Sequence, residues 1–148
     1  MIDDTSPAAA IGRALTWFET LTPATLDEIG TIYAPDAHFR DPFNDLHGLS
    51  AVTRVYRHMF ETLEQPRFVI IDRVIDGPQA FVSWDFTFRL RSDRAARPRV
   101  IHGGTLLRMD TQGRIREHLD YWDAAGQLYE TLPLLGSLLR WLRNRLAV

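Results

Sequence analysis

The stretch "RFVIIDRVI", Arg67 to Ile75, decides the fold. Before it, apolar residues recur at helical spacing. From Arg67 onward the period is two, and "AFVSWDFTFRLR" (80–91), "RVIHGGTLLRM" (99–109) and "RIREHLDYWD" (114–123) continue it. Alternation of this kind marks half-buried strands. Asp76-Gly77-Pro78 and Asp110 to Gly113 are turn signals between them, and "SDRAARP" (92–98) reads as a longer hairpin loop. Strands that follow one another directly should pair as an antiparallel meander. Helices first and strands afterwards predict an α+β fold, with helices covering one face of the sheet.

Upstream, Ser6-Pro7 reads as a helix start, hydroxyl cap then proline. Ile11, Ala14, Leu15 and Phe18 follow at helical spacing. Thr22-Pro23 predicts a second, short helix that Pro35 ends. A third, with Ser50 as its cap, puts Leu49, Val52, Tyr56, Met59, Phe60 and Leu63 on one face, and Pro66 closes it. The tail from Gln127 carries a leucine stripe with Arg140, Arg143 and Arg145 off it. That amphipathic helix either docks on its own domain or a second subunit, or touches an anionic membrane surface.

The chain has 148 residues and a 45% hydrophobic content, which predicts one domain, 1–148, with a packed core. The formal net charge is −2, and no basic stripe suggests nucleic-acid binding. There is no cysteine, hence no disulfide, thiolate nucleophile or Cys-type zinc site. The acids Asp3 and Asp4 stand where a signal peptide would be basic, and no apolar run is long enough for an integral membrane segment. A cytoplasmic setting is expected.

"HFRDPFND", residues 38–45, carries the first candidate for chemistry. In an extended segment Phe39 and Asp41 share a face, and Pro42 favours that extension. Asp41 is then a carboxylate in an apolar pocket, or else an Asp-Pro turn residue capping a nearby amide. The last strand carries the second candidate. Arg116, His118, Asp120 and Trp122 share one face, an imidazole beside a carboxylate with an indole beyond. His beside Asp is a frequent acid/base pairing, although the same face could be the solvated one. The histidines lack helical metal-ligand spacing, so no metal site is expected. Gly103-Gly104 reads as a bulge or bend.

The order helix, helix, "YAPDAHFRDP", helix, four strands, together with "LDEIGTIYAPDAHFRDP" and "RMDTQGRIREHLDYWD", resembles the nuclear transport factor 2-like superfamily. That group includes ketosteroid isomerases, SnoaL-type polyketide cyclases and limonene epoxide hydrolases. The resemblance implies a cone: a curved, mixed but mainly antiparallel sheet around a deep apolar pocket, often a homodimer through the outer sheet face. The isomerases' general-base aspartate falls on Asp41, their oxyanion-donating tyrosine on Trp17, and their second donor near Thr105. The epoxide hydrolases' "RDYFD" is similar to "LDYWD", which puts their catalytic base on Asp120. Their water-holding residues fall on Asp41 and Phe39, and their Arg-x-Asp pair belongs near Asp85. The cyclases' acid/base aspartate fits Asp123. Asp120 and Asp123 cannot both face the pocket of a regular strand, and Asp120 is preferred because it shares a face with His118.

The expectation is therefore cofactor-independent acid/base chemistry on an apolar small molecule. Asp41, Asp120 and His118 carry it; Trp17, Tyr33, Phe39, Met59, Trp84, Thr105 and Trp122 line the pocket. The other expectation is a binding or interaction module of the same fold without chemistry.

Overall fold

The structure is a computed structural model that describes residues 5–147. The acids Asp3 and Asp4 lie outside the described residues. The first helix, α1 (Pro7–Glu19), starts as its sequence demands: Ser6 Oγ accepts the Ala9 amide at 3.2 Å, with proline in the first turn. Its buried face is Ala10, Ile11, Ala14, Leu15, Trp17 and Phe18. The second helix splits into a 3-10 turn (Thr25–Glu28) and a single α-turn, α2 (Ile29–Ile32). It ends before Pro35, because β1 (Tyr33–Arg40) already begins at Tyr33.

The third helix, α3 (Leu49–Thr62), is not capped by Ser50. Gly48 holds the N-cap position at φ 93°, a left-handed conformation that glycine adopts without a Cβ penalty, and its carbonyl accepts the Val52 amide. Val52 and Tyr56 are its buried anchors, with Met59, Phe60 and Leu63 packed beside them. Pro66 does not end this helix. It lies in β3 (Leu63–Asp76), where the register with the next strand slips between Glu64 and Arg67. A proline fits there because β3 is an edge strand and the slip releases the ladder.

The remaining strands are β2 (Asp45–His47), β4 (Gln79–Leu90), β5 (Arg99–Met109) and β6 (Ile115–Trp122). The sheet order is β2-β1-β6-β5-β4-β3. Strands β3 to β6 form the expected antiparallel meander. Strand β1 joins β6 in parallel, which makes the sheet mixed. The six strands curve without closing, and α1 and α3 cover the concave side, giving the α+β cone.

Gly103 and Gly104 sit in unbroken register, so no bulge occurs there. Their role is steric. A Cβ on Gly103 would stand 2.5 Å from the Trp84 ring, and one on Gly104 would collide with Phe81. Trp84 and Phe81 approach β5 this closely only because both positions lack side chains.

Beyond β6, Asp123 caps the one-turn helix α4 (Ala124–Gln127), accepting the Gly126 amide at 2.8 Å. After a 3-10 turn (Tyr129–Thr131) comes α5 (Pro133–Leu146). It packs mainly on that turn, with Arg143 paired to Glu130 at 2.6 Å. In its leucine stripe Leu135, Leu138, Leu142 and Leu146 are exposed and Leu139 is half-buried. Among the described residues no helix is long and apolar enough to cross a membrane.

Candidate active site

The concave side of the sheet encloses a cavity of about 320 Å³. Its walls are mostly aromatic and aliphatic, among them Phe39, Met59, Phe68, Trp84, Phe86 and Trp122. Phe68 stacks on Phe86 and Phe86 on Phe88, with centroids 4.4 and 5.1 Å apart, so the wall is an ordered aromatic surface. Alternation puts every second residue of β4, β5 and β6 on this side. Trp84, Thr105, His118 and Asp120 therefore meet although they come from three strands.

These side chains form one continuous hydrogen-bonded line. Trp84 Nε1 donates to Thr105 Oγ1 at 2.7 Å, and Thr105 donates to Asp120 Oδ1 at 2.5 Å. His118 Nε2 is 2.8 Å from the same oxygen. On the other side of the ring, Nδ1 is 2.7 Å from the Tyr33 hydroxyl, itself 2.6 Å from the Tyr56 hydroxyl. The proton directions follow from chemistry. An indole N–H only donates, so the threonine proton must go to Asp120. A carboxylate only accepts, so His118 donates from Nε2, and as a neutral imidazole it accepts at Nδ1 from Tyr33. Tyr33 in turn accepts from Tyr56.

Both tyrosines are held neutral. Burial pushes the Tyr33 hydroxyl well above its ordinary value, and the neighbouring Tyr56 and Asp120 push the same way. Burial raises Tyr56 likewise, against a smaller opposing effect of its bond with Tyr33, and Asp120 and Asp41 add to the rise. His118 is only 5% exposed and both its nitrogens are engaged. Asp120 differs: it lines the cavity, and its Oδ2 makes no hydrogen bond among the described residues.

Asp41 also reaches the cavity, on the same side as Phe39. Its carboxylate, however, holds a turn. Oδ1 accepts the Phe43 and Asn44 amides at 2.8 and 2.7 Å and the Asn44 side chain at 3.0 Å, and Oδ2 accepts that side chain at 3.1 Å. Both readings of its local sequence are thus physically present, with Oδ1 committed to the turn and Oδ2 held by one side-chain bond.

Two expected lining residues lie elsewhere. Trp17 is buried in the core, where its indole N–H is satisfied by the Thr25 carbonyl at 3.0 Å. It offers no donor to the cavity. Tyr33 is completely buried behind His118 and supports it from the rear. The remaining expected positions, Phe39, Met59, Trp84, Thr105 and Trp122, line the cavity. Asp123 is a helix cap on the surface, and Asp85 points to the outer face, 2.6 Å from His102. Sequence reasoning missed Tyr56 as a polar partner. Its position on the apolar face of α3 marks it as core, and only the tertiary fold brings its hydroxyl to Tyr33. Missed too was the meeting of His38, Asp45 and His47, which the β1–β2 hairpin draws together.

Residues 14–118 match the SnoaL-like domain family, and the chain belongs to it. Solved structures with the same fold include a candidate SnoaL-like polyketide cyclase from Jannaschia sp., at 11% identity and a TM-score of 0.70, covering 85% of this chain and 92% of that one. An LEH-like epoxide hydrolase from M. tuberculosis aligns at 15% identity and 0.68, covering 91% and 93%. A hypothetical protein with a ketosteroid isomerase-like fold from Catenulispora acidiphila, in complex with trimethylamine, aligns at 18% identity and 0.68, covering 78% and 88%. Among curated proteins none matches the chain.

Proposed function

We propose that the protein is a cofactor-independent enzyme in which Asp120 is the general base acting on a small apolar carbonyl compound held in the cone. The observation that carries this reading is the Oδ2 of Asp120, which accepts no hydrogen bond among the described residues and faces a mostly apolar cavity, with Oδ1 anchored by His118 and Thr105. His118 is a positioning residue. Its Nε2–H holds Asp120 Oδ1 in place, and the Tyr33–Tyr56 pair fixes its ring.

The substrate class follows from what the cavity lacks. The two positions that resemble oxyanion donors of the isomerases are spent: Trp17 on Thr25, Thr105 on Asp120. A lost oxyanion donor costs roughly 2.7–4 kcal/mol of transition-state stabilisation. The substrate must therefore stabilise its own carbanion, as a 1,3-dicarbonyl or aryl-activated ketone does. That favours enolate chemistry of the cyclisation type over isomerisation of a simple ketone. Epoxide opening is less favoured, because Asp85, where the epoxide hydrolases' Arg-x-Asp pair would fall, faces away from the cavity and pairs with His102.

The test is proton exchange at the activated carbon of 2-tetralone and small 1,3-diketones in deuterated buffer, followed by NMR. Wild-type protein should accelerate it, and Asp120→Asn should lower the rate by about 10²–10⁴, the usual worth of a general base. Equal rates in both proteins, with the probes still bound, would leave a ligand-binding module as the function.

We further propose a homodimer formed through the outer sheet face, where Val74, Phe81, Val100 and Tyr121 leave an exposed apolar surface.

A further inference from the structure

On the far side of β1 from the cavity, the β1–β2 hairpin assembles three metal-type donors. His38 and His47 are directly opposed in register, and Asp45 lies two residues before His47, on the same side of β2. The imidazoles stack with centroids 4.3 Å apart and planes 7° from parallel. His38 Nε2 and Asp45 Oδ1 are 2.6 Å apart, and one donor atom from each of the three residues lies within 4.8 Å of the others. We propose that His38, Asp45 and His47 bind a late first-row divalent cation, Zn²⁺ foremost, with water completing the coordination.

The donor set is the argument's first part. Two imidazoles and one carboxylate suit Zn²⁺ and its neighbours, whereas an all-oxygen set would suit Mg²⁺ or Ca²⁺. Geometry is the second. Ligands about 2.0–2.2 Å from a tetrahedral ion are separated by about 3.3 Å. Half-exposed and exposed side chains on paired strands reach that spacing by rotation alone, while the strands hold the donors in place. At present a hydrogen bond joins His38 Nε2 to Asp45 Oδ1, and an ion would replace it.

The charges around the site permit a cation. Arg40, the cross-strand partner of Asp45, is turned toward Tyr121, its Nη2 3.3 Å from that hydroxyl and its guanidinium over the ring. Glu117, opposite His38 on β6, is paired with Arg108 at 3.0 Å. Because His38 and Phe39 point to opposite sides of β1, the ion would not contact the cavity. It would tie the two strands that flank the Asp41 turn.

The experiment is calorimetric titration of Zn²⁺ and of Ni²⁺ into tag-free, chelator-stripped protein. The expected result is one equivalent bound per chain, weakened at least about 10-fold by His47→Ala, since losing a ligand costs no less than losing an outer partner. His102→Ala is the control, because His102 and Asp85 form a similar surface pair without a second histidine; it should bind as wild type does. Matching melting curves in chelator would show that each variant is folded. Absence of saturable binding, or binding that His47→Ala leaves unchanged, would overturn the proposal.

Discussion

Asp120 gathers His118 and Thr105 on one carboxylate oxygen and leaves the other to the cavity. Replacing Thr105 by valine keeps the shape but strands the buried Trp84 N–H and removes a donor from Asp120. The expected cost is about 1–3 kcal/mol in urea denaturation, with a slower reaction besides. Tyr33 and Tyr56 make a second prediction at this scale. Their folded-state pKa values lie above the ordinary value of 10.0, so near that pH the unfolded chain releases their protons while the native protein keeps them. Stability should be full below about pH 10 and fall above it, by up to about 1.4 kcal/mol per pH unit for each tyrosine. Denaturation midpoints measured across that range should fall less steeply in Tyr33→Phe than in wild type. Single residues were also the hardest thing to infer from sequence. Alternation put Asp120 and His118 on one face, but the bond from Tyr33 spans 85 positions and left no local trace.

The elements were more legible where a local rule decides them. The cap of α1 and the period-two strands follow from chemistry within a few residues. Strand β2 has only three residues and exists because the Asp41 turn folds it back on β1, which no periodicity could reveal. Pro66 misleads for a related reason: whether a proline breaks a helix or sits at an edge-strand slip depends on sheet order. Gly103 tests the packing of β4 on β5. Gly103→Ala should destabilise by about 1–3 kcal/mol, the cost of overpacking, because the new methyl group meets the Trp84 indole. Thermal melts would measure it. In the hairpin, bound Zn²⁺ should slow hydrogen exchange of the Phe43 and Asn44 amides, which Asp41 already holds.

At the scale of the whole molecule, the order of helices and strands pointed to an α+β fold, and the resemblance to the nuclear transport factor 2-like superfamily implied the cone. The parallel pairing of β1 with β6 completes it and carries Phe39 and Asp41 to the same cavity as Asp120. The outer sheet face supplies a prediction here: if the proposed dimer forms there, light scattering should show wild-type protein as a dimer and Phe81→Asp as a monomer, and Phe81 does not line the cavity.

The central claim concerns which acid does the chemistry, and a comparison of Asp41→Asn with Asp120→Asn tests it most directly. An asparagine at 41 still offers an oxygen to the Phe43 and Asn44 amides, so the turn survives. The measurement is the initial rate of deuterium exchange into 2-tetralone for both variants and the wild type. The account predicts that Asp41→Asn stays within about tenfold of wild type while Asp120→Asn falls by about 10²–10⁴. Exchange lost in Asp41→Asn and retained in Asp120→Asn would contradict it.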